Sequence, residues 1–412
     1  MTDFLELVPP QEGLEKILSL CKRGSLSKEY LATQECLGYI AAEDITSTGT
    51  LPAFPRSTVD GYAIKSTDSF GSTASMPSYF EIIGEIKMGE FSHLKINSGQ
   101  VALIHTGGMV PQNADSVVMV EDTLKFNKNE LEVYKAVSPG ENVLHQGEDV
   151  KIGDTIILSG SRIRAVEIGG LLALGILSIP VVSKPRVAII SSGDEIIPPD
   201  QKPELGQIRD VNSHLLSALI TQWGGVVVRY GIVPDNIDKL LVVSKKAFDE
   251  SDMVVFTAGS SISVRDITAK AIRSLGEPGV LIHGINIKPG KPTILAICSG
   301  KPVVGLPGNP VSAYVTANIF VKNIIDKLQG VDKLIFQEKI QAKIDTNIAS
   351  KAGREDWIPA KISLANDRVM ATPVFSRSNF IFSLVSADGL IRIEADKTGI
   401  NAGEKVSVLP IN

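Results

Sequence analysis

Pro302-Val-Val-Gly-Leu-Pro-Gly-Asn-Pro-Val-Ser312 reads as a strand that runs into a turn and then into a helix. Asn309 stands where a helix cap belongs, and Pro310 stands at the first helical position, where its missing N–H costs nothing. Apolar residues recur at helical spacing from Ala313 through Lys327. Just upstream lies Lys288-Pro-Gly-Lys-Pro292, rigid and cationic. The start of a helix offers unsatisfied N–H groups and the positive end of a dipole. With two lysines close by, this region suits an oxyanion such as phosphate or a related tetrahedral anion.

The same strand-then-helix pattern extends upstream. Arg186-Val-Ala-Ile-Ile-Ser-Ser-Gly193 is a continuous apolar run ending in a glycine turn, followed by an amphipathic helix over Asn212 to Trp223. Val226 to Val233 reads as a strand and Asp238 to Phe248 as a helix. Met253-Val-Val-Phe-Thr-Ala-Gly259 and Asp266 to Leu275 repeat the alternation. Such an order predicts a doubly wound parallel α/β sheet between about residues 184 and 330. Ligands bind outside the carboxyl ends of the strands in sheets of this kind. Three of those ends carry polar, glycine-containing turns: Ser191-Ser192-Gly193-Asp194-Glu195, Thr257 through Ser263 with Gly259, Ser260 and Ser261, and Leu306-Pro307-Gly308-Asn309-Pro310. Hydroxyls and N–H groups hold phosphate oxygens, and Asp194, Glu195 and Asp266 offer the hard oxygens that Mg²⁺ takes. Taken singly, each element also looks like an ordinary turn, cap or surface charge. Their convergence on one rim points to a site for a phosphorylated ligand.

The flanking segments have a different character. Glu12 to Leu31 reads as largely helical, and the apolar stretch from Ile168 to Val182, broken by glycines and Pro180, as a buried helix. Tyr79 to Val137 alternates apolar and polar residues in short runs, which predicts a β-rich module. The tail from Lys333 onward predicts a small β-barrel or sandwich. Asp60-Gly61-Tyr62-Ala63 and His105-Thr106-Gly107-Gly108 read as turns, with His105 a packed or surface histidine.

The bulk of the chain sets limits. Its 412 residues, 43% of them apolar and 21% charged, suit a globular protein of about two to four domains. A net charge of −5 with no basic run argues against nucleic acid. No apolar stretch reaches spanning length and the N-terminus does not read as a signal peptide, so the expected compartment is the cytoplasm, with no membrane partner. Cys21, Cys36 and Cys298 form no C-x-x-C pair and the five histidines are scattered, which predicts buried thiols and no zinc cluster. GxGxxG and Walker A motifs are absent.

Five ordered blocks carry a specific resemblance: Ser57-Thr-Val-Asp-Gly-Tyr-Ala63; Thr106-Gly107 through Pro111 with Ala114-Asp115-Ser-Val-Val118; Gly147-Glu-Asp-Val150 with Gly153-Asp154; Ser192-Gly-Asp-Glu195; and Lys288-Pro-Gly-Lys-Pro292 with Gly305 through Ala313. The chain resembles the molybdopterin molybdenumtransferases, the MoeA family, which includes the gephyrin E domain. The resemblance implies an elongated homodimer with four subdomains per chain. Residues 1–48 with 146–183 would form a linking and dimerisation domain, and 49–145 a β-rich domain. Residues 184–330 would form an α/β molybdopterin-binding domain like the molybdopterin adenylyltransferases, and 331–412 a C-terminal β-barrel. It also implies a reaction: adenylylated molybdopterin and molybdate enter, the phosphoanhydride is cleaved, AMP is released and the metal enters the dithiolene, with Mg²⁺ assisting.

Asp60, Thr106, Glu195, Asp235 and Asp266 resemble the family's catalytic residues, with Glu195 and Asp266 as the metal ligands. Ser192, Gly193, Asp194, Gly259, Ser260, Ser261, Lys288, Lys291, Pro307, Gly308, Asn309, Pro310 and Ser312 resemble its substrate-binding positions. Arg354, Ser376 and Ser378 resemble barrel residues that help bind molybdate. The implied site lies between the α/β domain of one protomer and the β-rich domain of the other. Other molybdenum cofactor biosynthesis proteins are further implied partners. In the third loop, Ala258 and Ser263 stand where the family commonly has glycine, and Asn379 does so in the barrel. Alternatives are an adenylyltransferase acting one step earlier, a non-catalytic dimeric scaffold like gephyrin, and insertion of tungstate in place of molybdate.

Overall fold

The computed structural model describes residues 7–258, 262–331, 339–365 and 367–411. The central sheet has six described strands. Their spatial order is Val226–Val233, Arg186–Ser192, Met253–Ala258, Lys301–Leu306, Ile294–Cys298 and Pro278–His283. The first four are parallel, as the alternation predicts, and the last two add an antiparallel edge. The Arg186–Ser192 strand is buried along nearly its whole length, which is why it reads as an unbroken apolar run instead of an alternating one. Its register sets Ser192 opposite both Val233 and Ala258, and Thr257 opposite Leu306. The polar turns that follow these strands therefore start from one edge.

Helices cover both faces. Asn212–Gln222 and the nearly continuous helix from Pro310 to Leu328 pack on one side, their core including Ile189, Leu216, Val255 and Phe320. Ile237–Glu250 and Ile262–Arg273 cover the other side, around Ile190, Leu240 and Phe256. The former of these two starts at Asn236, whose side chain accepts from the Lys239 N–H at 3.0 Å.

The flanking units depart from the sequence reading in two places. Helix Pro10–Leu20 ends well before Leu31, and Lys28–Ala32 is a strand paired with Ser178–Val182. The apolar stretch from Ile168 is likewise split, into helix Ala165–Ala173 and that same Ser178–Val182 strand. Periodicity misleads here because Gly175, at φ +72°, terminates the helix and turns the chain back. The N-terminal helix packs against the α/β unit. Its Ile17 is fully buried among Val187, Ile282 and Leu295 of the α/β unit.

A second β unit has the order Ser116–Met119, Gly61–Ile64, Gln100–Ile104, Ser78–Ile86, Glu130–Val133, Thr123–Lys125. The tail forms a barrel in which Glu355–Ala365, Arg368–Pro373, Ile340–Ile344, Lys405–Pro410 and Gly389–Ile393 close on one another. Ile287-Lys288 adds to this barrel as a short parallel strand alongside Glu355-Asp356. That pairing ties the lysine segment to the barrel and the α/β sheet at once. The three cysteines are buried free thiols, as expected, and burial pushes Cys21 and Cys298 each up to about 11.

Candidate active site

The lysine segment holds its shape through Gly290. Its φ is +124°, and a Cβ there would overlap Thr316 Cγ2 and stand 3.2 Å from Ile287 Cγ2. Thr293 Oγ1 donates to the Gly290 carbonyl at 2.7 Å and closes the turn. Lys288 and Lys291 are exposed and face a cleft of about 620 Å³ between the α/β unit and the barrel. Asn309, Ser312, Arg354, Ser376, Arg377 and Ser378 also line it. Four cations thus meet one carboxylate, Asp356. Asp356 is 3% exposed and accepts from Arg354 at 2.7 and 3.1 Å and from Ser350 Oγ at 2.9 Å. This fork fixes the guanidinium and spends much of its charge, leaving the lysines and Arg377 as the less committed cations.

Asn309 does not cap its helix with its side chain. Its Nδ2 donates across the cleft to Ser378 Oγ at 2.9 Å, and the Val311 N–H donates to the Ser378 carbonyl at 3.1 Å. The helix start is therefore clamped to the barrel, and part of the N–H supply expected for an anion is already used. Pro310 does occupy the first turn as predicted.

Asn309 also lines a second cleft of about 510 Å³ at the strand ends, with Glu195, Arg209, Asp210, Asn212, Thr257, Gly308, Pro310 and Asn379. Asn212 Nδ2 donates to Thr257 Oγ1 at 3.0 Å and to the Gly308 carbonyl at 2.8 Å, while its buried Oδ1 has no partner. Asp210 accepts from Ser191 Oγ at 2.7 Å and from the Ser213 N–H at 3.0 Å. Ser192 is buried, with a hydroxyl that has no hydrogen-bond partner, and Gly193 and Pro307 are buried too. Asp235 donates its backbone N–H to Asp194 Oδ1 at 3.0 Å, and its own Oδ1 is buried without a partner. Burial, then the negative charges of Asp194 and Glu195, pushes the Asp235 carboxyl above its ordinary range. Asp266 is exposed and lines neither cleft. Gly259, Ser260 and Ser261 lie outside the described residues, as do the side chains of Ala258 and Ser263. Among the described residues no group of three His, Cys, Asp or Glu side chains is placed to hold a metal by protein ligands alone.

Asp60 and Thr106 meet each other but line neither cleft. Thr106 donates its N–H at 2.8 Å and its hydroxyl at 3.2 Å to Asp60 Oδ1. Those bonds, the backbone one foremost, hold the Asp60 carboxyl below its ordinary range, with His105 adding to the effect. Gly61 is required because a Cβ there would run into the Val118 carbonyl. Gly107, at φ +86°, donates its N–H to the Ser57 carbonyl at 2.8 Å, and Ser57 donates to the Gly108 carbonyl at 2.9 Å. Two sequence blocks 46 residues apart are thereby zipped into one turn.

Asp356, Arg377, Arg209, Asp210 and Asn212 escaped the sequence reading. Arg209 and Asp210 sit just before the predicted helix and Asn212 begins it, where Asp and Asn look like caps. Asp356 shows no signal beyond its place beside Arg354, because its partner is fixed by barrel geometry.

Comparison with known proteins follows the same three parts. Residues 8–175 match the MoeA N-terminal region (domain I and II), residues 188–327 a probable molybdopterin binding domain, and residues 341–411 the MoeA C-terminal region (domain IV). A molybdopterin molybdenumtransferase of Staphylococcus epidermidis is 34% identical over 378 residues, covering 91% of this chain and 89% of that protein. A putative molybdopterin biosynthesis protein of Methanocaldococcus jannaschii is 35% identical over 382 residues, covering 91% and 90%. A crystal structure of a MoeA molybdopterin biosynthesis protein of Pyrococcus horikoshii superposes with a TM-score of 0.86 at 30% identity, covering 98% of this chain and 100% of that one. With the blocks, the fold and these relatives in agreement, the chain belongs to the MoeA family of molybdopterin molybdenumtransferases.

Proposed function

We propose that the chain acts in molybdenum cofactor biosynthesis as a transferase that takes adenylylated molybdopterin and molybdate, releases AMP and delivers the metal to the dithiolene. The observation that carries this reading is the pair of clefts that share Asn309. One cleft is cationic and suits a tetrahedral dianion. The other has hydroxyl, amide and carboxylate groups at the carboxyl ends of parallel strands, where a phosphorylated ligand binds. A substrate carrying its phosphates past Asn309 would bring its reacting end toward Lys288 and Lys291.

Within this reading the lysines, Arg377 and the Asp356-anchored Arg354 neutralise and orient the oxyanion, with Ser376, Ser378 and Ser312 offering hydroxyls. Asn212 and Thr257 hold the other end. Mg²⁺ fits the acidic group: Asp235 has a buried oxygen without a partner and a carboxyl raised first by burial and then by its acidic neighbours, whose repulsion a cation would relieve. Glu195 and Asp266 are its assigned ligands from the resemblance, with Asp194 and Asp235 beside Glu195. One or two protein carboxylates with substrate phosphate and water suffice for this ion. When bound it would supply charge stabilisation for the leaving phosphate.

Asp60 and Thr106 would complete the site from a second copy, because they are exposed and paired yet line neither cleft of their own chain. This is the support for a homodimer. Among the described residues no helix is long and apolar enough to cross a membrane, which is compatible with action in the cytoplasm. The test is turnover by purified protein given adenylylated molybdopterin, Mg²⁺ and molybdate or tungstate. Oxyanion-dependent AMP release supports insertion, and the relative rates assign the metal. Formation of adenylylated molybdopterin from ATP would mark the upstream enzyme instead, and a stable dimer without turnover a scaffold.

A further inference from the structure

His105 precedes Thr106 in the turn that carries Asp60. Its Nδ1 lies 3.7 Å from Asp60 Oδ1, the same oxygen that accepts both Thr106 donors, and its Nε2 lies 3.0 Å from Glu85 Oε1. Glu85 comes from the neighbouring strand, whose parallel register sets Glu85 and Ile86 beside Leu103 and Ile104. The imidazole is thus flanked by two carboxylates from two different elements.

The backbone under His105 is fixed. Gly108 donates its N–H to the His105 carbonyl at 2.8 Å, and a Cβ at Gly108 would approach that carbonyl to 2.9 Å. The Ser57 zipper on Gly107 and Gly108 holds the turn against the Asp60 loop. The spacing of the ring from both carboxylates follows from these constraints.

We propose that His105 is a positioning residue that links Glu85 to Asp60 and supports the Asp60 carboxylate where it accepts from Thr106. The inference rests on the reading that Asp60 and Thr106 take part in transfer. A neutral imidazole has one N–H and can donate toward Glu85 or toward Asp60, while the other nitrogen turns a lone pair to a carboxylate. The imidazolium donates toward both. The charged groups facing the ring are Asp60 from the turn and Glu85 from the strand. In the cationic form the ring favours the Asp60 carboxylate, which stays free to hold the Thr106 hydroxyl. In the neutral form that support is withdrawn.

The test compares the wild type with His105→Gln, which keeps a hydrogen-bonding side chain but cannot be charged. Asp60 is titrated by carbon NMR of its carboxyl in the protein without substrates, and AMP release is followed against pH. Loss of the cation is expected to raise the Asp60 titration midpoint by a few tenths of a pH unit, the size an exposed pair supports. The acid limb of the rate profile should move up by the same amount. An unchanged Asp60 titration in His105→Gln overturns the inference and leaves the proposed function untouched. An NMR shift with an unmoved acid limb overturns it as well. Full activity of Asp60→Asn would instead remove Asp60 from the reaction, and this role for His105 with it.

Discussion

Gly290→Ala puts the cationic cleft under a defined strain. The residue sits at φ +124°, which costs a residue with a side chain about 1–3 kcal/mol. The new methyl would also overlap Thr316 Cγ2, in a site where Thr316 is fully buried and its hydroxyl is tied to the Ser312 carbonyl at 2.8 Å. Overpacking of that kind costs about 1–3 kcal/mol more. A total of about 4 kcal/mol should lower the melting midpoint of the α/β and barrel units by roughly 10 °C. Lys288 and Lys291 flank the strained residue, so the KM for molybdate should rise while the far cleft keeps its affinity for the adenylylated substrate. Thr316→Ser removes only the clashing methyl and keeps the hydroxyl bond. By itself it should cost about 1 kcal/mol. Combined with Gly290→Ala it should recover the overlap part, so that the double variant is about 2 kcal/mol more stable than the two single losses predict. Differential scanning fluorimetry on the four proteins, with AMP release at varied molybdate, measures both effects. Strict additivity would refute the steric argument, and a wild-type KM in Gly290→Ala would refute the claim that this turn sets the lysines.

Three other perturbations probe the rest of the site. Asp356→Asn removes the buried partner of Arg354 and should destabilise the barrel by about 3 kcal/mol, seen as an earlier thermal transition. Lys288→Ala and Lys291→Ala should raise the KM for molybdate with a weaker effect on kcat, and added salt should narrow the gap to wild type, since both lysines are exposed. Asp235→Asn should stabilise the protein near pH 7 and slow AMP release. The raised carboxyl pKa means that its cost is absent at low pH, where it is protonated folded or unfolded. The cost grows as pH rises from the unfolded value of 3.8 through the folded one. Thermal melts at pH 4 and pH 7 check the sign: the gain should be larger at pH 7.

The α/β unit was legible because its signals are local. The buried parallel strands read as apolar runs, and the last of them feeds a helix that begins at the recognisable Asn309-Pro310 turn. The antiparallel edge, Pro278–His283 with Ile294–Cys298, escaped because Gly284, Pro289, Gly290 and Pro292 between the strands break the local pattern. The barrel was expected as barrel or sandwich; closure is a register property that no single strand reveals. Asn309 shows the same limit inside the site. By its neighbours it is a cap, yet its amide reaches Ser378, 69 residues away, because the barrel seats that hydroxyl within hydrogen-bond range.

Residue types and order alone determined the family, the cationic character of Lys288-Pro-Gly-Lys-Pro292 and the set of polar turns, because composition and short-range periodicity are written along the chain. Tertiary structure decided what those residues do with one another. It zipped Asp60 to Thr106, seated His105 between two carboxylates, spent Arg354 on Asp356 and split the rim into two clefts meeting at Asn309. Apart from the Arg354–Asp356 pair, which joins neighbours along the chain, each of these rests on a hydrogen bond, an ion pair or a cavity wall built from distant segments. Such contacts depend on distances in space, which spacing along the chain does not encode.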